Sequence, residues 1–502
     1  MPRIQLPPAA VLRVELIAGL VVALALIPEA ISFSLIAGVD PRVGLYASFT
    51  MAVAIAFTGG RPAMISAATG AMALVVVSLV DEHGLQYLLA ATLLAGAIQV
   101  ALGALGVAQL MRFVPRSVMT GFVNALAILI FLAQLPYLRD VPWQVYPLVA
   151  AGLLIVFGVP RLTRAVPSPL IAIAALTLFT VALGVGVPTV GDEGELPSSL
   201  PLLGIPDVPL NLHTLTVIAP YSVTLAIVGL LESLMTAQLV DDITETPSDK
   251  GREARGQGIA NLVTGLFGGM AGCAMIGQTM INVRASGART RISTFCAGLF
   301  LLILVVALGS VVAVIPMAAL VAVMILVSVS TFDWHSIAPA TLRRMPRGET
   351  VVMLATVAVT VATHNLALGV ATGVVTATLL FARRVAHLVE VTSVLDPDGG
   401  TRVYSVSGEL FFAADRELVG AFDFAGDPPR VIVDLSRAHV WDASAVAALD
   451  AIETRYAAHG TTVEVHGLNA RSTRLREQLT SAADAPAPDA PAPDAPAAAG
   501  AH

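Results

Sequence analysis

Charged residues are scarce in this sequence. Asp, Glu, Lys and Arg make up 13% of its 502 residues, whereas hydrophobic residues make up 56%. A soluble domain typically carries about 25% charged residues, which excludes an ordinary soluble globular protein. Residues 256–283, 292–332 and 350–382 contain no charged side chain at all. Since one helix needs roughly 20 apolar residues to cross a bilayer, the longer of these stretches hold two spans each. The sequence predicts an α-helical polytopic membrane protein.

Cysteine is also scarce. Cys273 and Cys296 both lie inside apolar segments, which argues against a disulfide framework. We interpret Cys273 as a small packed hydrophobic residue rather than a metal ligand, because no Cys/His cluster accompanies it. No hydrolytic triad, phosphate-binding loop or metal cluster stands out in the sequence. We therefore expect no enzyme activity, no bound cofactor and no nucleic-acid partner.

Apolar runs and the polar breaks between them predict fourteen membrane segments within residues 11–384, two of them short. They are residues 12–37, 43–60, 64–80, 86–110, 117–135, 143–159, 168–187, 213–240, 256–271, 274–283, 292–315, 317–329, 350–363 and 366–382.

Basic residues occur in alternate loops between these segments. Cytoplasmic loops hold the excess of Lys and Arg, so the loops report the orientation. With the N-terminus inside, 18 of the 20 basic residues before position 400 are cytoplasmic, and the exceptions are Arg42 and Arg139. The long external loop, residues 188–211, carries acidic residues and no basic one. We expect an inner-membrane protein of bacterial type, with the N-terminal segment 1–10 and the C-terminus in the cytoplasm.

The character of the chain changes after Arg384. Residues 401–407, 430–435 and 462–466 have strand patterns, and residues 443–458 and 470–479 have helical spacing. These patterns predict a small soluble α/β domain over residues 400–480. Residues 481–502 repeat Ala-Pro-Asp-Ala-Pro and cannot bury a core, so we expect a disordered tail.

Two short segments interrupt the apolar pattern at matching places in the two halves of the chain. Residues 64–72 and 272–283 are uncharged, rich in small residues, and too short to span a bilayer. Paired interruptions of this kind point to a transporter's binding site. The physical reason is that a half-helix exposes unpaired backbone N–H groups at its N-terminus, where the helix dipole favours an anion. The pattern predicts transport of a small anion across a membrane.

At these residues the chain resembles the SulP-type anion transporters, the bacterial sulfate, bicarbonate and dicarboxylate permeases related to animal prestin and pendrin. The resemblance covers residues 11–479. Its marks are 28–34 (PEAISFS), 44–46 (GLY), 134–136 (QLP), 231–234 (LESL), 272–282 (GCAMIGQTMIN), 287–290 (GART) and 363–366 (THNL). The cytoplasmic end resembles a STAS domain through residues 433–436 (VDLS) and 441–445 (WDASA).

The resemblance implies two inverted seven-segment repeats, arranged as a core domain (residues 11–110 and 213–315) and a gate domain (residues 116–187 and 316–384). Transport is then an elevator-like shift of core against gate. The implied anion site lies between the N-termini of the third and tenth segments. The implied substrate-binding residues are Glu29, Phe33, Ala68, Thr69, Gly70, Met275, Ile276, Gly277 and Gln278, and the implied ion-coupling residues are Glu232 and Glu29.

Two positions depart from the family pattern. Many relatives have Gln where Glu29 stands, and the animal members have Arg where Gln278 stands. Because the pocket is poorer in positive charge, a symporter that also carries H⁺ or Na⁺ is favoured over an exchanger. The small side chains Ala68, Gly70 and Gly277 leave room for an anion larger than chloride, so we favour a dicarboxylate such as fumarate, with sulfate and bicarbonate as alternatives.

Other interpretations remain open. An anion exchanger, an anion channel or a nucleobase permease would share the fold, and a membrane-tethered STAS signalling protein would leave the half-helices unexplained. Ser444 is a candidate phosphorylation site by analogy with stand-alone STAS proteins. However, a capping role for Asp442 or Ser444 at a helix start explains the pattern more simply. The resemblance also implies a homodimer in contact with membrane lipid, and a cytoplasmic partner at the STAS domain.

Overall fold

The computed structural model describes residues 8–107, 109, 114–162, 167–386 and 389–483. The chain forms two compact units, Met1–Ala377 and Thr378–His502. Most of the predicted N-terminal segment (residues 1–7) and of the predicted tail (residues 484–502) lies outside the described residues, as do the basic residues Arg3, Arg112 and Arg164.

The helices of the first unit follow the predicted segments closely. They are α1 (Ala9–Ile36), α2 (Pro41–Thr58), α3 (Gly70–Ala104), α4 (Arg116–Leu132), α5 (Val145–Leu162), α6 (Ser168–Leu183), α7 (Leu212–Thr244), α8 (Lys250–Leu266), α9 (Ile276–Met280), α10 (Arg291–Ala307), α11 (Gly309–Ala313), α12 (Met317–Thr331), α13 (Pro339–Arg344), α14 (Arg347–Thr363) and α15 (Leu366–Ala386). Two short strands, β1 (Ser66–Ala68) and β2 (Gly272–Ala274), precede α3 and α9.

Each of the fourteen predicted segments has a counterpart among these elements. The third and fourth form one assigned helix, α3, which is broken at Gly84, where φ is 79°. The tenth is β2 and α9, continued by a π-helical turn over Ile281–Ala285. Within the described residues, six helices are long and apolar enough to cross a membrane, and three shorter apolar helices accompany them.

Residues that favour breaks separate the helices. Pro316 precedes α12, and His364 ends α14 in the left-handed conformation with φ of 52°. Pro28 lies inside α1, where the Ser32 hydroxyl donates to its carbonyl oxygen at 2.8 Å. Because proline has no N–H, α1 lacks the hydrogen bond to the Leu24 carbonyl at this point, and the helix nevertheless continues to Ile36.

The helices of the first unit pack in two groups. In one group, α1 and α2 pack on α10, α2 packs on α8, and α3 packs on α7 and α8. In the other group, α4 packs on α12 and α14, and α5 packs on α6 and α12. Two of the linkers between the groups, the one before α7 and the one before α12, pair with each other through Thr189 and Pro316. The Val190 N–H donates to the Ile315 carbonyl at 2.9 Å.

The second unit is a four-stranded sheet with helices. Its elements are β3 (Glu390–Leu395), β4 (Thr401–Leu410), α16 (Asp415–Gly420), β5 (Arg430–Val440), α17 (Ala443–Ala458), β6 (Thr462–His466) and α18 (Ala470–Ala483). The strand order is β3-β4-β5-β6, with β3 antiparallel to β4 and the remaining pairs parallel. The sheet begins before the predicted start at residue 400, and α16 was not predicted. The core is apolar and includes Val433, Leu449 and Tyr456.

Candidate functional site

Two half-helices begin at a small central sheet. Strand β1 pairs antiparallel with β2, so that Ser66 faces Ala274 and Ala68 faces Gly272. Each strand leads within two residues into a helix, α3 at Gly70 and α9 at Ile276. Because the strands are antiparallel, the chain leaves β1 beside Gly272 and leaves β2 beside Ser66, so the two half-helices begin at opposite ends of this three-residue sheet. The structure thus brings together the two interrupted segments that are far apart in sequence.

Thr69 caps the first half-helix. Its side-chain oxygen accepts a hydrogen bond from the Met72 N–H at 3.4 Å. Met275 occupies the equivalent position before α9 and makes no side-chain capping bond there. The first N–H groups of any helix lack intrahelical partners, so both N-termini carry partial positive charge. This polarity suits an anion.

Glu29 and Gln278 join the first segment to the second half-helix. The Gln278 side-chain Nε2 donates to Glu29 Oε1 at 2.9 Å. Gln278 is 2% exposed, and its Oε1 has no hydrogen-bond partner among the described residues. A buried acceptor of this kind is costly when it stays unpaired. The site therefore offers an unused oxygen ligand beside a carboxylate, which suits a cation or a donor group on a substrate.

Glu232 belongs to a second, buried hydrogen-bonded chain. The Cys273 Sγ lies 2.9 Å from Glu232 Oε2 and 3.1 Å from Thr69 Oγ1. Glu232 and Thr69 are 7% and 3% exposed, and Cys273 is fully buried. The chain runs from α7, through β2, to the cap of α3. Cys273 therefore has a polar role in addition to the packing that we expected of it.

Phe33 packs directly on the start of α3. A Cβ added at Gly70 would lie 2.9 Å from Phe33 Cε1 and 3.0 Å from Ile130 Cδ1, so only glycine fits between them. Ile130 belongs to α4, in the other packing group. At the second half-helix the situation differs, because Gly277 is exposed and a Cβ there would meet nothing within 4 Å. One half-helix is therefore covered by apolar side chains, and the other is open.

A cavity of about 850 Å³ lies between the two packing groups. Its walls include Leu74 and Asp81 of α3, Leu129 of α4, Tyr221 of α7 and His364 after α14. Leu74 is about one turn from Gly70 along α3, and Leu129 precedes Ile130. The cavity therefore approaches the site from one end of the helices.

The remaining predicted site residues occupy both half-helix starts. Ala68 is buried in β1, Met275 is buried and Ile276 is partly buried. Within the described residues, no group of three or more His, Cys, Asp or Glu side chains could hold a metal ion.

Two buried carboxylates that sequence analysis did not assign stabilise the frame around the site. Glu15 is 1% exposed, and its Oε1 accepts from the N–H groups of Arg289 at 2.8 Å and Thr290 at 3.0 Å, just before α10. Glu253 Oε2 accepts from the N–H groups of Gly60 and Arg61 at 2.7 and 2.9 Å. For Glu15 the available signal was its position in an apolar run, since a carboxylate there needs partners. Glu253 stands in a charged stretch, residues 250–255, which gave no such signal.

In the second unit, the helix start after residue 441 is capped by Asp442. Its Oδ1 accepts from the Ala445 N–H at 3.0 Å, and its Oδ2 accepts from the Phe412 N–H at 2.8 Å. Ser444 lies in the first turn of α17 and is partly exposed. The capping interpretation is confirmed for Asp442.

Comparisons with known proteins agree with this architecture. The profile of the Sulfate permease family matches residues 12–147 and 142–356, and the STAS domain profile matches residues 394–483. YbaR of Bacillus subtilis (strain 168), which carries the provisional name of a sulfate transporter, is 54% identical over 468 residues, covering 93% of this chain and 97% of YbaR.

A more distant relative and a solved structure match over similar shares of the chain. The bicarbonate transporter BicA of Picosynechococcus sp. (strain ATCC 27264 / PCC 7002 / PR-6) is 25% identical over 88% of this chain and 86% of its own. The structure of the murine Slc26a9 anion transporter in the inward-facing state matches with a TM-score of 0.78 at 17% identity, covering 94% of this chain and 88% of that chain. That likeness concerns the fold. The chain belongs to the sulfate permease family, with a C-terminal STAS domain, and is a membrane anion transporter rather than an enzyme.

Proposed function

We propose that this protein is a secondary active transporter that carries a small oxyanion together with H⁺ or Na⁺. The anion binds between the N-termini of α3 and α9, at Thr69, Gly70, Gly277 and Gln278. Sulfate and bicarbonate are the first candidate substrates, because the relatives described above bear those names. A dicarboxylate such as fumarate is the alternative that the small side chains of the site favour.

The bond between Gln278 and Glu29 carries the proposal of symport. It places a carboxylate next to the half-helix that would receive the anion. None of the residues assigned to the site is Lys or Arg. An ionised carboxylate repels an anion at close range, and the repulsion is strong where water is excluded. A cation bound at the site removes this repulsion, so anion and cation favour each other's binding.

The two packing groups support an elevator-like movement. The assigned site residues lie on α1, β1, α3, α7 and α9 or, for Thr69 and Met275, at the N-caps of α3 and α9, all within the group proposed as the core domain (residues 11–110 and 213–315). The other group corresponds to the proposed gate domain (residues 116–187 and 316–384). A rigid group that carries the whole site can move against the other without dismantling it.

The proposal includes the membrane location, the oligomeric state and the partner of the protein. The distribution of Lys and Arg supports an inner-membrane location with both termini cytoplasmic. Family membership supports a homodimer, and the STAS domain offers a surface for a cytoplasmic partner, which phosphorylation of Ser444 would regulate.

Uptake into proteoliposomes tests the function. Radiolabelled sulfate, bicarbonate and fumarate are offered separately, each with an imposed inward gradient of H⁺ or of Na⁺. We expect accumulation of one of them above its external concentration, driven by one cation gradient and abolished when that gradient is collapsed. Anion currents that need no coupled cation would contradict symport and favour a channel, and uptake of none of the three anions would contradict the proposed substrate class.

A further inference from the structure

We propose that Cys273 is a positioning residue that couples the protonation of Glu232 to hydrogen-bond donation by the Thr69 hydroxyl at the anion site. The inference rests on the proposed function, in its proton-coupled form. It starts from a chain of three buried side chains, in which the Cys273 sulfur lies between Glu232 Oε2 at 2.9 Å and Thr69 Oγ1 at 3.1 Å.

In one state of the chain, Glu232 is ionised. An ionised carboxylate only accepts hydrogen bonds, so the thiol proton of Cys273 is donated to it. The thiol has one proton, and the sulfur can then only accept from Thr69. The Thr69 hydroxyl proton is therefore used inside the chain. Its oxygen meanwhile accepts from the Met72 N–H at 3.4 Å. In this state Thr69 has no proton to offer an anion.

In the other state of the chain, Glu232 carries a proton. A neutral carboxyl group has one O–H donor, which can point at the Cys273 sulfur. The thiol proton then turns towards Thr69 Oγ1, whose two lone pairs accept from Cys273 and from Met72. The Thr69 hydroxyl proton is released and can be donated to an anion at the N-terminus of α3. Every hydrogen bond in the chain reverses, and no covalent bond is made or broken within it.

Among the described residues around Glu232, the ionisable side chain that is hydrogen-bonded to it is Cys273. The elements packed against α7 are α3, α8, α9 and β2. On α8, Glu253 is bonded to the Gly60 and Arg61 N–H groups, and on α9, Gln278 is bonded to Glu29 of α1. Apart from Tyr221, whose hydroxyl lies 3.1 Å from that of Ser78, the other charged or titratable residues of these four helices lie near helix ends or near the break in α3: Asp81, Glu82, His83, Tyr87, His213, Asp241, Asp242, Lys250, Arg252 and Arg255.

Anion affinity at two proton concentrations tests the inference. Sulfate and fumarate are suitable probes because both stay dianionic between about pH 6 and about pH 8. For full-length wild-type protein in proteoliposomes, we expect the anion KM to be higher at about pH 8 than at about pH 6. The ratio should be about 5–150-fold, the usual range for coupling between two binding sites. Cys273→Ala removes the link, so the part of the pH dependence that passes through Glu232 should be lost. In a Glu29→Gln background, where the carboxylate beside Gln278 no longer titrates, the KM of Cys273→Ala should change less than about twofold over the same interval.

Two further variants distinguish a hydrogen-bond link through Cys273 from a merely structural role of this residue. Cys273→Ser keeps one donor and two acceptors, so it should retain the pH dependence of KM. Thr69→Val keeps the shape of Thr69 but has no hydroxyl, so its KM should be high at both pH values. A merely structural role for Cys273 would lower kcat or stability without removing the pH dependence.

The outcomes are distinguishable. If Cys273→Ala retains the wild-type pH dependence of KM, the link is wrong and the proposed symport stands. If the wild-type KM does not depend on pH, proton coupling fails, and the link fails with it. If Cys273→Ser loses the dependence as Cys273→Ala does, the donor and acceptor count that carries the inference is wrong.

Discussion

Gln278 donates a hydrogen bond of 2.9 Å to Glu29, a residue 249 positions earlier in the chain. The bond joins the second half-helix to the C-terminal half of α1, just after Pro28. It gives the proposed anion site a carboxylate where a positive charge would be the obvious choice. The consequences of this pairing, and of the contacts that support it, can be measured.

Glu29→Gln tests the charge in the site. The variant keeps a side chain that can accept from Gln278 but removes the negative charge. We expect cation-driven accumulation of the anion to fall at least tenfold, a loss of about 1.4 kcal/mol of coupling, while anion exchange without a gradient continues. Accumulation and exchange are compared in the same vesicles. Glu349→Gln, at an exposed position of α14, is the control and should behave as wild type. Unchanged accumulation in Glu29→Gln would remove Glu29 from the coupling mechanism.

Gly70→Ala tests the contact between Phe33 and Ile130. The added methyl group would lie 2.9 and 3.0 Å from their side chains, which forces them to shift. Overpacking of this kind costs about 1–3 kcal/mol. We expect a lower thermal unfolding midpoint and a changed anion KM, measured on purified protein and in vesicles. Gly277→Ala is the matched variant, since a Cβ there meets nothing within 4 Å, and its unfolding midpoint should be unchanged. Equal midpoints for the two variants would contradict the close packing at Gly70.

Glu15→Ala tests the carboxylate that caps α10. The substitution leaves the N–H groups of Arg289, Thr290 and Ser293 without their acceptor, of which the Ser293 group is buried and the other two are partly buried. An unsatisfied buried donor costs about 1–3 kcal/mol, so the variant should unfold at lower temperature. The uptake rate per folded molecule should stay near wild type, because Glu15 does not contact the assigned site residues. A variant with wild-type stability and abolished uptake would show instead that Glu15 acts in transport.

Asp427→Ala tests the buried charge in the STAS unit. Asp427 accepts from the hydroxyls of Tyr404, at 2.7 Å, and Tyr456, and lies 3.1 Å from an Arg402 guanidinium nitrogen. Removing Asp427 leaves the hydroxyls of the buried Tyr404 and Tyr456 without their acceptor, and each such loss costs about 1–3 kcal/mol. Calorimetry of the full chain should show the STAS transition at lower temperature. Asp398→Ala, in an exposed turn, is the control, and equal shifts for the two variants would contradict a stabilising role for the cluster.

The Ser436 N–H donates to Asp434 at 3.0 Å, and this hydrogen bond holds the pKa of that carboxyl below its ordinary value. A lowered pKa stabilises the folded state above the unfolded pKa, near 4, and the benefit disappears as pH falls through the folded pKa. Asp434→Asn should therefore be less stable than wild type at neutral pH, by a small amount because the group is exposed to solvent. The difference in unfolding midpoint should vanish under acid conditions. A difference that grows on acidification would contradict the assignment.

Much of the membrane unit could be predicted from local pattern. Apolar runs of membrane length, broken at Pro316 or at His364, predict helices because backbone groups in a bilayer must be satisfied within the segment. The interrupted segments at Thr69 and Gln278 could likewise be recognised, since small polar residues in an apolar run are a local signal.

The second unit shows where local pattern fails. Helix α17 and strands β4–β6 were predicted because their buried faces repeat with helical or strand periods. Strand β3 was missed because it is an edge strand with mostly exposed side chains, so no alternation marks it. Helix α16 is six residues long, which is too short for a reliable helical period.

The sequence by itself determined that this chain is a membrane transporter with two half-helices and a soluble C-terminal domain, because each of these features depends on runs of adjacent residues. Tertiary structure alone decided which side chains meet. The pairing of Ala67 with Cys273 in β1 and β2 sets the thiol of Cys273 between Glu232 and Thr69. Hydrogen bonds act over about 3 Å of space and are indifferent to separation along the chain, so no pattern of neighbouring residues could have shown them.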